Sequence, residues 1–105
     1  MSEWIDEDGY PTEEMLEKIE KWDAGEGSYN DLMKFIKPHW KYSFEGYWSE
    51  NEYEDDGTEY SISTGGWSGN EDIIRALQSN CMFWSLYWMQ SRRGGHYIFK
   101  VKDYE

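Results

Sequence analysis

The spacing of apolar residues changes along the chain from a helical to a strand period, and this change limits the possible folds most. Near the start, Met15, Leu16, Ile19 and Trp22 repeat at the spacing of one helix face. From Trp40 onward apolar residues alternate with polar ones, which is typical of a half-buried strand. A chain that contains both periods is predicted to combine helices with a sheet.

Three helices are predicted from apolar spacing together with residues that cap helix ends. The first helix has acidic residues in its first turn, and the third begins with the capping-box spacing of Ser68 and Glu71. Their boundaries are predicted as Thr12 to about Ala24, Ser28 or Asn30 to the residue before Pro38, and Ser68 to about Asn80.

Four strands are predicted, in two hairpins. The first strand runs from Trp40 past Trp48, and the acidic segment 50–57 connects it to a second strand around Tyr60 and Ile62. Residues 82–90 are interpreted as a third strand because they are strongly aromatic, and a helix stays an open alternative there. One face of the second hairpin is predicted to collect Trp84, Leu86, Trp88, Tyr97, Phe99 and Val101.

The second hairpin is predicted to turn at the dipeptide Gly94-Gly95, because glycine readily adopts the positive φ that two-residue turns require. This turn would pair Arg92 with Tyr97, Gln90 with Phe99 and Trp88 with Val101. Two hairpins most simply form one four-stranded antiparallel sheet with about three helices over its apolar face. We therefore predict an α+β fold of order ααββαββ, with residues 1–105 as a single domain.

Composition favours a folded chain. Mean hydropathy is low at -0.98, yet 19% of the residues are aromatic, and disordered chains are poor in aromatics. No long apolar run is present and the segment 1–8 is acidic, so we expect neither a membrane span nor a secretory signal. A single cysteine, Cys81, excludes an internal disulfide, fits a reducing cytosol and is expected to be a small packing residue.

Charge is distributed very unevenly along the chain. Residues 1–60 contain 18 acids and 5 bases, whereas residues 61–105 contain 4 acids and 5 bases. Direct binding to nucleic acid or to anionic lipid is disfavoured, and a basic partner is expected to bind an acidic face, although solubility alone is the simpler explanation. The predicted partner-binding residues are Glu13, Glu17, Glu20, Glu50, Glu52, Glu54, Asp55 and Asp56.

The sequence motifs give little support for metal binding or for catalysis. The segment that begins at Glu52 imitates an EF-hand loop, but its twelfth position is Ser63 instead of the bidentate glutamate that calcium requires. His39, His96 and Cys81 match no recognised nucleophile or metal spacing. We therefore predict a non-enzymatic protein without a metal or cofactor.

A second hypothesis is a small anion- or nucleotide-binding protein. The glycine-rich turn 65–70 is predicted to lie at a helix N-terminus, whose free amides attract anions, and the tip 92–96 carries two arginines. The simpler alternative is that these residues only cap a helix and form turns. The candidate ligands are Gly66, Ser68, Asn70, Arg92, Arg93 and His96.

Residues 63–70 and 83–97 carry a resemblance to known proteins, through the sequences STGGWSGN, FW and SRRGGHY. With these the chain resembles a group of small acidic proteins encoded by bacteriophages and prophages, over about residues 60–100. The resemblance implies the cytoplasm of a bacterial host. It favours a protein that binds a basic surface of a host protein, with mimicry of DNA by an anti-CRISPR or anti-restriction inhibitor as one form of such binding.

Overall fold

Helices cover one face of a four-stranded antiparallel sheet in this computed structural model, which describes residues 4–23, 25–41, 46–53 and 57–101. The α+β class and the antiparallel four-stranded sheet are confirmed, but the described residues form four α-helices instead of about three. The elements are α1 (Glu13–Glu20), α2 (Tyr29–Ile36), a 3-10 helix (Lys37–His39), β1 (Trp48–Tyr53), β2 (Gly57–Ser63), α3 (Ser68–Ser79), α4 (Cys81–Tyr87), β3 (Trp88–Arg92) and β4 (His96–Val101).

The first helix begins where the sequence predicts and ends early. Thr12 caps it, with the Thr12 Oγ1 accepting the Met15 N–H at 3.2 Å. The helix ends at Glu20, and Ala24, the predicted end, lies outside the described residues. It can end there because the Asn80 side-chain amide donates to the Trp22 carbonyl and, together with the Trp22 N–H, to the Ile19 carbonyl, with both Asn80 bonds at 2.9 Å.

Ser28 is the cap of α2, and this was one of the two predicted options. Its hydroxyl accepts the Asp31 N–H at 3.1 Å, and the Asp31 carboxylate accepts the Ser28 N–H at 3.2 Å, which completes a capping box. The α-helix ends at Ile36, and the 3-10 helix that follows contains Pro38. These residues bring Trp40 under the sheet, where its Nε1 donates to the Ser63 carbonyl at 3.0 Å.

The first strand begins later than predicted, at Trp48, and includes part of the segment predicted to be a connection. Glu50 and Glu52 pair with β2 instead of lying in a loop. Pairing is possible because it uses the backbone, while five of the six β1 side chains stay exposed at the sheet edge. The predicted strand residues 42–45 and the predicted loop residues 54–56 lie outside the described residues.

The sheet has the order β1-β2-β4-β3, so β1 and β3 are its edges. Tyr60 pairs with Phe99 and Ile62 with Tyr97, and residues that pair directly point to the same face. On that face Tyr60, Ile62 and Phe99 are buried against the helices. The opposite face carries mainly polar side chains, because side chains alternate along each strand.

Residues 82–87 belong to α4, so the strand interpretation of 82–90 is wrong for most of its length, and the open alternative, a helix, is observed there. Asn80 caps this helix, with its Oδ1 accepting the Phe83 N–H at 3.1 Å. Phe83 and Tyr87 are four residues apart and both buried, which is a helical spacing. Leu86 is exposed, and so are Trp88 and the other residues of β3, contrary to the predicted apolar face.

The second hairpin has a different register from the one predicted. Its turn contains three residues, Arg93, Gly94 and Gly95, and both glycines have positive φ, at 83° and 77°. A bulge between Trp88 and Gln90 shifts the register again. The observed pairs are Arg92 with His96, Ser91 with Tyr97, Gln90 with Ile98 and Trp88 with Phe99.

Ser68 is the first residue of α3, and the predicted capping box is absent: the N-cap is Trp67, which makes no side-chain cap. The helix starts one residue early because the buried Asn70 holds its first turn against the preceding loop. The Asn70 side-chain amide donates to the Thr64 carbonyl at 3.3 Å. The predicted end near Asn80 is confirmed.

Cys81 opens α4 and is exposed, so it is not the packing residue that the sequence suggested. Within the described ranges, no helix combines the length and the apolar character that a membrane crossing would need.

Replacing Asn80 with alanine is expected to lower the free energy of unfolding by about 2 to 4 kcal/mol. The substitution removes the cap of α4, takes the Asn80 donor from the buried Trp22 carbonyl and leaves the Ile19 carbonyl with only the Trp22 N–H. Urea denaturation followed by tryptophan fluorescence measures this change. The exposed Gln78→Ala in α3 is the control and should change stability by less than about 0.5 kcal/mol. Equal midpoints for the two variants would contradict this role of Asn80.

Candidate functional site: the acidic surface of α1 and the end of the second hairpin

The outer surface of α1 presents carboxylates because its inner surface is anchored in the core. Met15 and Ile19 are fully buried, and this orientation leaves Glu13, Glu17 and Glu20 exposed, as the spacing predicts. Carboxylates three or four residues apart on a helix lie roughly 5 to 6 Å apart at their Cβ atoms. The helix therefore carries a row of negative charges at regular intervals.

Part of this charge is neutralised by lysines. Lys21 Nζ lies 2.9 Å from Glu17 Oε1, and this hydrogen bond, with the nearby negative charge, raises the pKa of Lys21. Lys18 pairs with Glu26 at 3.2 Å and also lies over the rings of Trp4, Trp22 and Phe35. In the described part of the chain, Glu13 and Glu20 form no ion pair.

The acids of β1 belong to another part of the fold. Helix α1 packs against α3, whereas β1 is an edge of the sheet. Glu50 accepts a hydrogen bond from Trp48 Nε1 at 2.9 Å and lies 3.5 Å from Lys37 Nζ, so its charge is shared locally. Glu52 is exposed, and the predicted contact residues Glu54, Asp55 and Asp56 lie outside the described residues. The predicted acidic set is thus divided between α1 and the hairpin β1–β2.

The two segments of the predicted anion site meet at one end of the sheet. The Thr64 N–H donates to the Gly95 carbonyl at 3.0 Å, which joins the glycine turn to the hairpin tip. Strand pairing places Ser63, His96 and Arg92 side by side on the face away from the helices. The His96 ring contacts the Ser63 hydroxyl at 2.6 Å through Nδ1 and the Ser61 hydroxyl at 3.3 Å through Nε2.

The remaining predicted anion ligands are less suited to that role. Asn70 is buried, and both of its side-chain polar atoms bind the Lys41 backbone, at 3.0 and 3.1 Å. Ser68 and Gly66 are exposed. Arg93 is an exposed residue of the hairpin turn next to Arg92. Asn70 is thus a structural residue, while Arg92 and His96 retain a geometry in which an anion could reach them.

A groove of about 460 Å³ lies between the turn 6–9 and the segment that follows α2, and the sequence did not predict it. Glu7, Asp8, His39 and Lys41 line it together with Trp67, over whose ring Lys41 Nζ lies at 4.6 Å. These residues come from separate segments, so no spacing in the sequence indicates the groove. Burial lowers the pKa of His39, whose ring packs edge-on against Phe35 at 5.8 Å.

Among the residues that the structure describes, no group of three or more His, Cys, Asp or Glu side chains is placed to hold a metal ion. Comparison of the chain with protein-family profiles, with curated proteins and with solved structures finds no match.

Stability is expected to fall more steeply with decreasing pH in the wild type than in a His39→Gln variant. Because the pKa of His39 is lower in the folded protein than its ordinary value of 6.5, the unfolded chain binds the proton more readily as pH drops. The stabilisation from neutral His39 is therefore present above pH 6.5 and is lost below it. Urea midpoints of both proteins, measured from pH 7.5 to 5.5, test this. The carboxylates common to both proteins contribute equally to the two pH profiles, so the difference between the profiles reports on His39. Parallel pH profiles would contradict it.

Proposed function

We propose that this chain is a non-enzymatic, phage-type protein that binds a basic surface of a host protein through the exposed carboxylates of α1. The observation that carries the proposal is the separation of charge: 18 of the 22 acids lie in residues 1–60. Like charges brought close together destabilise a folded protein, so their density on α1 exceeds what solubility requires. Binding to a basic partner would relieve that repulsion.

The geometry of α1 suits the groove of a nucleic-acid-binding protein. Each DNA strand carries one phosphate per about 3.4 Å of the duplex axis, and the carboxylates of a helix face can be presented at a comparable spacing. Exposed Glu13 and Glu20 form no ion pair with a lysine in the described residues. We therefore propose a DNA-mimicking inhibitor of the anti-CRISPR or anti-restriction type, acting in the cytoplasm of a bacterial host.

Changing Glu13 and Glu20 to glutamine is expected to weaken binding to the basic partner about tenfold at an ionic strength near 0.05 M, and much less near 0.5 M, because salt screens exposed charges. Affinity is measured against a panel of purified bacterial nucleic-acid-binding proteins, with duplex DNA as competitor. The matched control is Glu52→Gln with Glu59→Gln, which removes the same charge from the hairpin β1–β2.

The control variant should bind within about twofold of the wild type. Equal weakening by both variants would show that total charge, and not the α1 surface, determines binding. Salt-independent binding to the panel would contradict an electrostatic mechanism altogether. Circular dichroism establishes that each variant keeps its helices, since Glu13 also lies in the first turn of α1.

A second candidate function is anion binding at the end of the second hairpin. The observation that favours it is the row of Ser63, His96 and Arg92 across neighbouring strands, with the glycine turn joined to Gly95 beside it. The Arg92 guanidinium can donate to a phosphate, and so can the Ser63 hydroxyl when His96 Nδ1 donates to its oxygen. This alternative uses the opposite charge sign and a different part of the fold from α1.

Inorganic phosphate is expected to shift the NMR signals of the His96 ring in a saturable way, and Arg92→Gln should abolish the shift because it removes the strongest charged donor. Arg75→Gln, which removes an exposed arginine from α3, is the control and should leave the titration unchanged. A linear, non-saturating response in the wild type would eliminate this candidate.

A further inference from the structure

The surface formed by α4 and β3 is apolar and exposed. Met82, Leu86 and Met89 are 60%, 55% and 54% exposed, and Trp88 is 41% exposed. Met82 and Leu86 are four residues apart on one side of α4, and Trp88 and Met89 follow at the start of β3, so exposed apolar side chains are concentrated where the helix meets the strand. Large exposed apolar surfaces on small proteins commonly mark interaction sites.

This surface is held in shape by contacts within the protein. The Trp88 and Trp84 rings stack, with centroids 5.8 Å apart and planes 14° apart. The Trp88 Nε1 donates to the Ser91 hydroxyl at 2.9 Å, which fixes the indole on the strand. A preordered aromatic surface loses little conformational entropy when a partner covers it.

The surface adjoins an open edge of the sheet. Among the described residues, strand β3 pairs with β4 alone, and all five of its residues are exposed. An edge strand offers unpaired backbone N–H and C=O groups to another extended chain. The other edge, β1, contains Glu50 and Glu52, and acidic edges discourage such pairing with an acidic segment.

The charge at this edge is opposite to that of the rest of the chain. Residues 73–102 contain five bases and not one acid, although the whole protein has a net charge of -12. Arg92 ends β3 and Arg93 follows it. Trp88 pairs with Phe99 on the helix side of the sheet, whereas Arg92 pairs with His96 on the opposite side, because the bulge between Trp88 and Gln90 interrupts the alternation of side chains along β3.

We propose that the β3 edge binds an extended, acidic segment of a partner protein, which pairs with β3 as a fifth strand. On the helix side, alternate side chains of this segment are apolar and cover Leu86 and Trp88. On the open side they are acidic and pair with Arg92, while Arg93 adds attraction at the turn. This site is separate from the α1 surface. Its partner is acidic, whereas the partner proposed for α1 is basic.

A fluorescently labelled peptide of about nine residues with alternating valine and glutamate is the probe, and the same peptide with lysine in place of glutamate is its counterpart. The glutamate peptide should bind the full chain, and the lysine peptide should not. Arg92→Gln with Arg93→Gln is expected to weaken binding at least about fivefold. Lys34→Gln with Arg75→Gln removes the same charge from exposed positions of α2 and α3 and should change affinity less than about twofold.

Two further measurements distinguish strand addition from simple charge attraction. Leu86→Gln and Met82→Gln alter exposed positions. They are expected to weaken binding of the glutamate peptide without unfolding the protein, and thermal melting verifies that the fold is kept. Bound peptide should slow amide hydrogen exchange in β3 and leave β1 unchanged.

Several outcomes would overturn the proposal. They are absence of glutamate-peptide binding, equal binding of the lysine peptide, protection of β1 instead of β3, or a dimer in analytical ultracentrifugation whose formation excludes the peptide. The last result would assign the surface to a second copy of the chain.

Discussion

The arrangement of the helices depends on the hydrogen bonds of one buried side chain, that of Asn80. It accepts the Phe83 N–H and so begins α4, and it donates to the Ile19 and Trp22 carbonyls and so completes the end of α1. The two carbonyl groups lie 61 and 58 residues from Asn80 in the sequence. A buried amide with all its partners is highly specific, because any other arrangement would leave polar groups unsatisfied in the core.

Because the helices cover only one face of the sheet, two surfaces of opposite charge can coexist in this small protein. Burial of Tyr60, Ile62 and Phe99 against the helices turns the alternate side chains outward, where Ser61, Ser63 and His96 contact one another. The acids of the first half are then presented on α1 and β1, and the bases of the last hairpin gather at the β3 end. The charge separation along the chain becomes a separation between elements of the fold.

The extent to which the sequence predicted the fold follows from the range of each interaction. Thr12 and Ser28 cap their helices by contacts three residues away, so the sequence predicted Thr12 and limited the second cap to Ser28 or Asn30. The α1 carboxylates were also predictable, since helix geometry and buried Met15 fix their direction. Residues 82–87 were misassigned because aromatic content favours a strand in general, whereas the distant contacts of Asn80 decide for a helix. The predicted register of the second hairpin is wrong because the turn has one residue more than predicted and β3 contains a bulge.

The sequence by itself determined the α+β class, the antiparallel sheet, the exposed acidic stripe of α1 and the imbalance of charge, because periodicity, capping and composition are local properties. Only the tertiary structure decided that the acids of β1 lie apart from those of α1, that Asn70 is a structural residue, and that Thr64 and Gly95 join the glycine turn to the hairpin tip. It also decided that Leu86 and Trp88 face solvent beside an open strand. These features depend on which distant segments meet, and burial and hydrogen bonding between them settle that choice.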